Sequence, residues 1–198
     1  KVVAKNTPEE SVGVLCYRNQ RPAIVEYTEF PPELTGQQDA NGALLFGNAN
    51  IVTHLFRRDF LTENAGSSLP YHVAHKKIAT IDQNGQPVKP DQPNAYKFEL
   101  FMFDIFPLLS DMAALQVKRE EEFAPVKNKD GNDSPETARK LLFNLHQNWL
   151  RAAGVTPELF QNRIIEISPL LSFAGEGLDR TKIEALLRAN PEPVIELK

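Results

Sequence analysis

Apolar residues at the start of the chain fall in short, partly alternating, β-branched runs, which is the pattern of strands. Residues 1–3 and 12–17 are predicted strands, and Arg18-Asn19-Gln20-Arg21 is a hairpin connection to a return strand over 23–30. On that strand Ile24, Glu26, Thr28 and Phe30 share one face, apolar at its ends and polar in its middle. Pro31-Pro32 stops it, and residues 44–46 form a short buried strand. The spacing then becomes helical. Ile51, Leu55, Phe56 and Phe60 make an apolar stripe, with Asn50 as N-cap. The most apolar stretch, 97–109, fits a helix through Phe98, Phe101, Met102, Ile105 and Leu109, which Pro107 kinks or ends.

Residues 113–118 read as a further strand, followed by the charged run Arg119-Glu120-Glu121-Glu122 and a loop. Ser134-Pro135-Glu136 is a helix start: a capping Ser, Pro at the first helical position, and an acid at the positive end of the dipole. Ala138, Leu141, Leu142, Leu145 and Trp149 give that helix its buried stripe, and Gly154 stops it. Strands at 164–167 and 170–173, a helix at 181–188 and a strand at 194–197 close the chain. Strands and helices alternate, which favours an α/β fold with a smaller unit after about residue 123.

Composition narrows the function classes. At 198 residues and 41% hydrophobic, the chain has enough apolar material for a core without a disulfide or metal staple. Its lone Cys16 reads as a buried small hydrophobe, fits a reducing compartment and excludes a multi-cysteine zinc site. A net charge of −4 argues against nucleic acid as a partner. No apolar run has the length of a membrane span. With no secretory leader in view, the expected location is cytoplasmic.

The common catalytic signatures are absent. There is no phosphate loop, no G-x-G-x-x-G and no G-x-S-x-G. His72 and His75 are three apart, but no third ligand follows at a motif spacing, so no metal site is expected in this chain.

Less common strings carry more. They are Val25-Glu26-Tyr27-Thr28-Glu29, Leu44-Leu45-Phe46-Gly47-Asn48-Ala49-Asn50-Ile51, Lys97-Phe98-Glu99-Leu100-Phe101-Met102-Phe103-Asp104-Ile105-Phe106 and Phe123-Ala124-Pro125-Val126-Lys127-Asn128. With Ser168-Pro169-Leu170-Leu171-Ser172-Phe173-Ala174-Gly175-Glu176-Gly177, they resemble, in order, the C-terminal part of eukaryotic UDP-N-acetylhexosamine pyrophosphorylases. One departure precedes Asn50: this chain has Gly47-Asn48-Ala49-Asn50, where the family more usually has Asn-Ala-Gly-Asn.

The resemblance implies a fold and a reaction. Residues 1–122 would be the second, sugar-binding half of a Rossmann-like nucleotide-diphospho-sugar transferase domain with a mixed sheet, and 123–198 a small α+β unit. The implied enzyme is a uridylyltransferase that joins UTP and N-acetylglucosamine 1-phosphate with Mg²⁺, releasing pyrophosphate. Such a reaction rests on positioning and charge neutralisation. By resemblance, Gly13, Glu26, Tyr27 and Asn50 match sugar-site positions, Phe101 and Phe103 match the pocket's aromatic wall, and Lys97 and Lys127 match phosphate-contacting lysines. On a regular helix, Phe101 and Phe103 would point about 200° apart, so joint action on one sugar face needs local unwinding.

The family's glycine-rich nucleotide loop has no counterpart here, and the chain opens on Lys1 rather than Met. The expectation is a C-terminal fragment, inactive alone, that lacks the nucleotide and metal half. Two other readings stay open: a non-catalytic module that binds a sugar phosphate or a partner, and a glucose-preferring UDP-sugar pyrophosphorylase.

Overall fold

The β-branched runs near the start of the chain pair into one sheet. In the computed structural model, which describes residues 1–198, β1 (Val2–Ala4), β2 (Val14–Arg18), β3 (Arg21–Val25) and β4 (Asn48–Asn50) lie in the order β1-β4-β2-β3, antiparallel throughout. The β2–β3 turn has positive φ at both Asn19 (52°) and Gln20 (61°). That is the primed geometry which matches the twist of a tight hairpin. Val3, Val14 and Ala49 are fully or almost fully buried in this sheet. Ala49, on the string that departs from the usual family pattern, faces Val3 on one side and Val14 on the other.

Two helical expectations in this part of the chain give way. Asn50 ends β4 rather than capping a helix, and residues 51–57 are irregular before α2 (Arg58–Asn64). Short α1 (Pro32–Thr35) precedes this region. Asn50 Oδ1 accepts the Val52 amide at 3.0 Å and Val52 adopts φ 58°, so the chain turns away from helical geometry there. Leu55, counted in the helical stripe, is fully exposed.

The stretch 97–109 divides into a strand and a 3-10 helix. β5 (His72–Lys76) pairs antiparallel with β8 (Ala95–Glu99), and the two-residue strands β6 (Thr80–Ile81) and β7 (Pro87–Val88) form a small ribbon between them in sequence. The 3-10 helix Met102–Leu108 then packs Phe103, Ile105 and Phe106 against Ile24 of β3. Pro107 has no amide to donate, so the tighter helix ends one residue later, with Leu109 N bonded to Phe106 O at 2.8 Å. Two further strand expectations shrink to single bridges, Gln38 with Leu44 and Val2 with Gln116. The 23–30 strand stops at Val25, so the face of Ile24, Glu26, Thr28 and Phe30 does not form.

Residues 1–116 form one compact unit and 117–198 another. In the second, short α3 (Arg119–Glu122) precedes α4 (Pro135–Ala152), which starts where Ser134 predicts. Thr137 N donates to Ser134 Oγ at 3.4 Å and Ser134 N to Thr137 Oγ1 at 2.9 Å, a reciprocal capping box. The buried positions of α4 are His146 and Leu150, while Leu142 of the expected stripe is exposed. β9 (Ile164–Ile167) and β10 (Val194–Leu197) run parallel, joined by α5 (Arg180–Ala189). Ile165, Ile167, Ile195 and Leu197 alternate inward to meet Leu150, Phe160, Ile183 and Leu187.

Residues 170–173, expected as a strand, are a turn. The Glu176 carboxylate gathers it, accepting from Phe173 N (2.9 Å), Ala174 N (2.6 Å) and the Ser172 hydroxyl (3.0 Å). These bonds, led by the two backbone amides, hold the carboxyl down to about 2. Gly175 and Gly177 have φ 90° and 69°. A Cβ on Gly175 would meet Trp149 Cγ at 2.8 Å, whereas one on Gly177 would meet open space.

Two outcomes follow for this unit. Gly177→Ala should cost about 1–2 kcal/mol for the left-handed backbone alone. Gly175→Ala should cost more and also shift the fluorescence of Trp149, the only tryptophan. Glu176→Gln should lower the thermal midpoint near neutral pH, with a loss that shrinks as pH falls from about 4.5 towards 2, because the native carboxyl titrates below the unfolded one.

Candidate functional site

Gly13, Glu26 and Asn50 are far apart in sequence but meet at the edge of β2. The Gly13 carbonyl accepts the Asn50 amide at 2.8 Å. A Cβ at residue 13 would lie 2.7 Å from Glu26 Oε1 and 3.0 Å from Ile24 Cγ2. Glycine at this position is therefore what lets the carboxylate rest against the backbone. Glu26 itself opens the turn after β3, which is closed by Glu29 N to Glu26 O at 2.9 Å.

Asn50 is buried, and its carbonyl oxygen is committed twice. It accepts from Val52 N at 3.0 Å and lies 2.9 Å from His54 Nε2, which must then carry the proton. Burial, and then the positive chain terminus, lower the His54 pKa, consistent with a neutral ring. The role left for the Asn50 side chain is donation from its amide nitrogen. Val52, β-branched and exposed, is held in the left-handed region by this turn, a strained conformation of the kind that clusters at sites.

Phe101 and Phe103 do come together. Phe101 is extended (φ −108°, ψ 129°), one residue before the 3-10 helix. The two rings stack 4.8 Å apart at 16°, so strand-to-helix entry supplies the unwinding that a shared wall needs. Phe103 is buried beside Ile24 of β3, which also touches the Gly13 position, so the wall and the seat of the carboxylate share one packing partner.

Of the other expected site residues, Tyr27 and Lys97 belong to the first unit and Lys127 to the second. Tyr27, on the turn, faces a small depression shared with Lys5, Val12, Val14 and Thr35. Lys97 is on β8 with its ammonium 2.7 Å from Glu99, an exposed pair. Lys127 belongs to the second unit, where its amide bonds Asp133 O at 2.6 Å. No three His, Cys, Asp or Glu side chains are grouped so as to hold a metal ion.

A cluster that no motif announced sits next to the wall. His72 places Nδ1 2.7 Å from Glu29 Oε1 and Nε2 2.9 Å from Asp104 Oδ2, and its ring lies 4.7 Å from that of Phe101. His72, Glu29 and Asp104, with Phe103, border a groove of about 560 Å³ that also reaches Arg18 and Arg21. Glu29 and Asp104 are 43 and 32 residues from His72. Only the folded pairing of β5 with β8 and the packing on β3 bring them together. His75, three residues further along the chain, stacks on Tyr96.

Gly13→Ala should destabilise the first unit by about 1–3 kcal/mol through overpacking. Combining it with Glu26→Ala should return part of that loss, leaving the milder contact with Ile24; paired chemical melts check both.

The chain is similar to known proteins over nearly its whole length. UDP-N-acetylhexosamine pyrophosphorylase-like protein 1 of Mus musculus is 42% identical over 200 residues, covering 90% of this chain and 39% of that protein. UDP-N-acetylglucosamine pyrophosphorylase of Saccharomyces cerevisiae is 38% identical over 190 residues, covering 92% and 39%. The crystal structure of the uridine diphosphate N-acetylglucosamine pyrophosphorylase from Trypanosoma brucei, in complex with inhibitor, superposes with a TM-score of 0.73 at 33% identity, over 100% of this chain and 42% of that one. The chain thus spans about two fifths of the length of the relatives it matches, and the resemblance read from its strings is borne out by their names. The family model for UTP--glucose-1-phosphate uridylyltransferase matches residues 1–192, and the chain belongs to that family.

Proposed function

We propose that this chain is the sugar-facing part of a uridylyltransferase that forms UDP-N-acetylglucosamine and pyrophosphate from UTP and N-acetylglucosamine 1-phosphate. The carrying observation is that Glu26 and Asn50 both come to Gly13: the Asn50 backbone amide donates to its carbonyl at 2.8 Å, and Glu26 Oε1 lies 2.7 Å from where a Cβ would stand. The names of the relatives point the same way.

In this reading a phosphate oxygen of the sugar phosphate attacks the α-phosphorus of UTP and the bond to pyrophosphate breaks. Glu26 accepts hydrogen bonds from sugar hydroxyls, and the Asn50 amide donates one. The stacked pair Phe101–Phe103 offers an apolar face to the N-acetylhexosamine, and Tyr27 flanks Glu26 on its turn. Lys97 neutralises phosphate charge, which gathers in the transition state. To do so, Lys97 exchanges its exposed contact with Glu99 for the substrate, a cheap exchange for a solvent-screened pair. Mg²⁺ supplies further charge neutralisation when bound, and its ligands, like the nucleotide loop, belong to the half of the enzyme that this chain lacks. The lone Cys16 fits a cytoplasmic site of action.

Binding of N-acetylglucosamine 1-phosphate, followed by calorimetry, tests the pocket. Glu26→Ala should weaken it by about 1.5–3 kcal/mol, the range for a hydrogen bond to a charged group, and Asn50→Ala by about 1 kcal/mol or more. Pyrophosphate release should be absent for the chain alone and appear on adding the N-terminal half of a relative. No rescue, with binding retained, would make the chain a non-catalytic sugar-phosphate module. A preference for glucose 1-phosphate of about sixfold or more, roughly 1 kcal/mol, would place it with the glucose-preferring enzymes instead.

A further inference from the structure

We propose that His72 is a positioning residue of the sugar pocket: with its ring doubly protonated, it pins the turn that carries Glu26 to the aromatic wall of Phe101 and Phe103. This role rests on the reading of that pocket as a sugar site.

The geometry demands a proton. Ionised Glu29 and Asp104 are acceptors only, and a neutral imidazole has one N–H. With Glu29 at 2.7 Å from one ring nitrogen and Asp104 at 2.9 Å from the other, a neutral ring would set a lone pair against one carboxylate. The imidazolium satisfies both.

The three residues come from three elements. Glu29 closes the Glu26 turn through its own amide, Asp104 lies in the 3-10 helix next to Phe103, and His72 begins β5. Releasing either contact removes the polar tie between turn and wall and leaves their spacing to the apolar packing around Ile24 alone. The distance between the hydroxyl-binding groups and the stacked rings is then held less tightly, and a 1 Å error there is expensive.

Other charges face the cluster from each packed element. Glu99 is His72's partner in the β5–β8 register, with its carboxylate on Lys97. Arg18 and Arg21 border the groove from the hairpin, Arg21 donating to Leu109 O at 3.1 Å. Burial disfavours the charged ring, but the hydrogen bonds and charges of Glu29 and Asp104 outweigh it, and the pKa of His72 is raised. The clamp is therefore complete at low pH and is lost as pH rises through that raised value. His54, against Asn50, titrates on the other side of the ordinary value and acts with the opposite sign.

Titration with N-acetylglucosamine, which has no ionisable group of its own in the window, tests the clamp by NMR between pH 5.5 and 8.5. The His72 ring carbons report protonation in the same samples. Affinity should fall about tenfold across the His72 midpoint, the factor carried by one unit of pKa difference between free and bound protein. His72→Ala, with His72→Gln as a second variant should the first misfold, should hold the weak high-pH affinity at every pH. Asp104→Asn is the sharper case. Its amide can donate to Nε2 while Nδ1–H donates to Glu29, so a neutral ring satisfies both partners. That variant should keep the affinity and lose the slope.

Wild-type binding that is flat in pH, an undiminished His72→Ala, or a full slope in Asp104→Asn overturns the clamp. Absence of sugar binding at any pH, while His72 still titrates high, brings down the sugar-site reading itself and with it this role.

Discussion

The packing of the 3-10 helix Met102–Leu108 on β3 is the contact from which the rest of the first unit takes its geometry. With three residues per turn, Phe103 and Phe106 project from the same side and both reach the core around Ile24. Burying each is worth on the order of 2 kcal/mol. Ile24 meets this helix and also the space beside Gly13, so one side chain fixes both the aromatic wall and the seat of Glu26. His54 stacks edge-on against Phe106 at 5.1 Å and hands the same constraint to Asn50. The polar groups of the site are thus placed by apolar contacts.

Local signals were legible wherever a local rule decides. Asn19-Gln20 makes the hairpin, Ser134-Pro135 starts α4, and Ile165 and Ile167 alternate into the second core. The segment 97–109 was not legible, because an apolar run beside Pro107 satisfies helical spacing and strand pairing alike; the partner strand over His72–Lys76 decides. Residues 51–60 misled for a related reason. Asn50 suits a helix cap, but its oxygen is taken by Val52 and His54 in a different turn. The strings contain Glu26 and Asn50, which the fold brings to Gly13, and also Glu29 and Asp104, but His72, which joins those two carboxylates, lies outside every string.

The second unit solves its own polar problem with another histidine. His146 is buried on α4, and its Nδ1 accepts the Ile167 amide at 3.2 Å. Burial lowers its pKa, so this ring stays neutral and completes the edge of β9 as a hydrogen-bond acceptor. Acid therefore acts in opposite senses at His72 and at His146. Glu184 tightens the same unit, bonded to both the hydroxyl and the amide of Thr156 and to Arg180, with its carboxyl held down to about 2.

The bare backbone at Gly13 has a consequence in genetics. Every missense change at a glycine codon adds at least a Cβ, and here that atom falls within 2.7 Å of the Glu26 carboxylate. Even the mildest allele displaces the group proposed to bind substrate, while β2, β3 and the core behind them still have their full set of apolar partners. Variation at this position should therefore impair the proposed sugar binding by more than its own fall in abundance accounts for. Alleles at Phe106, by contrast, should be lost through degradation.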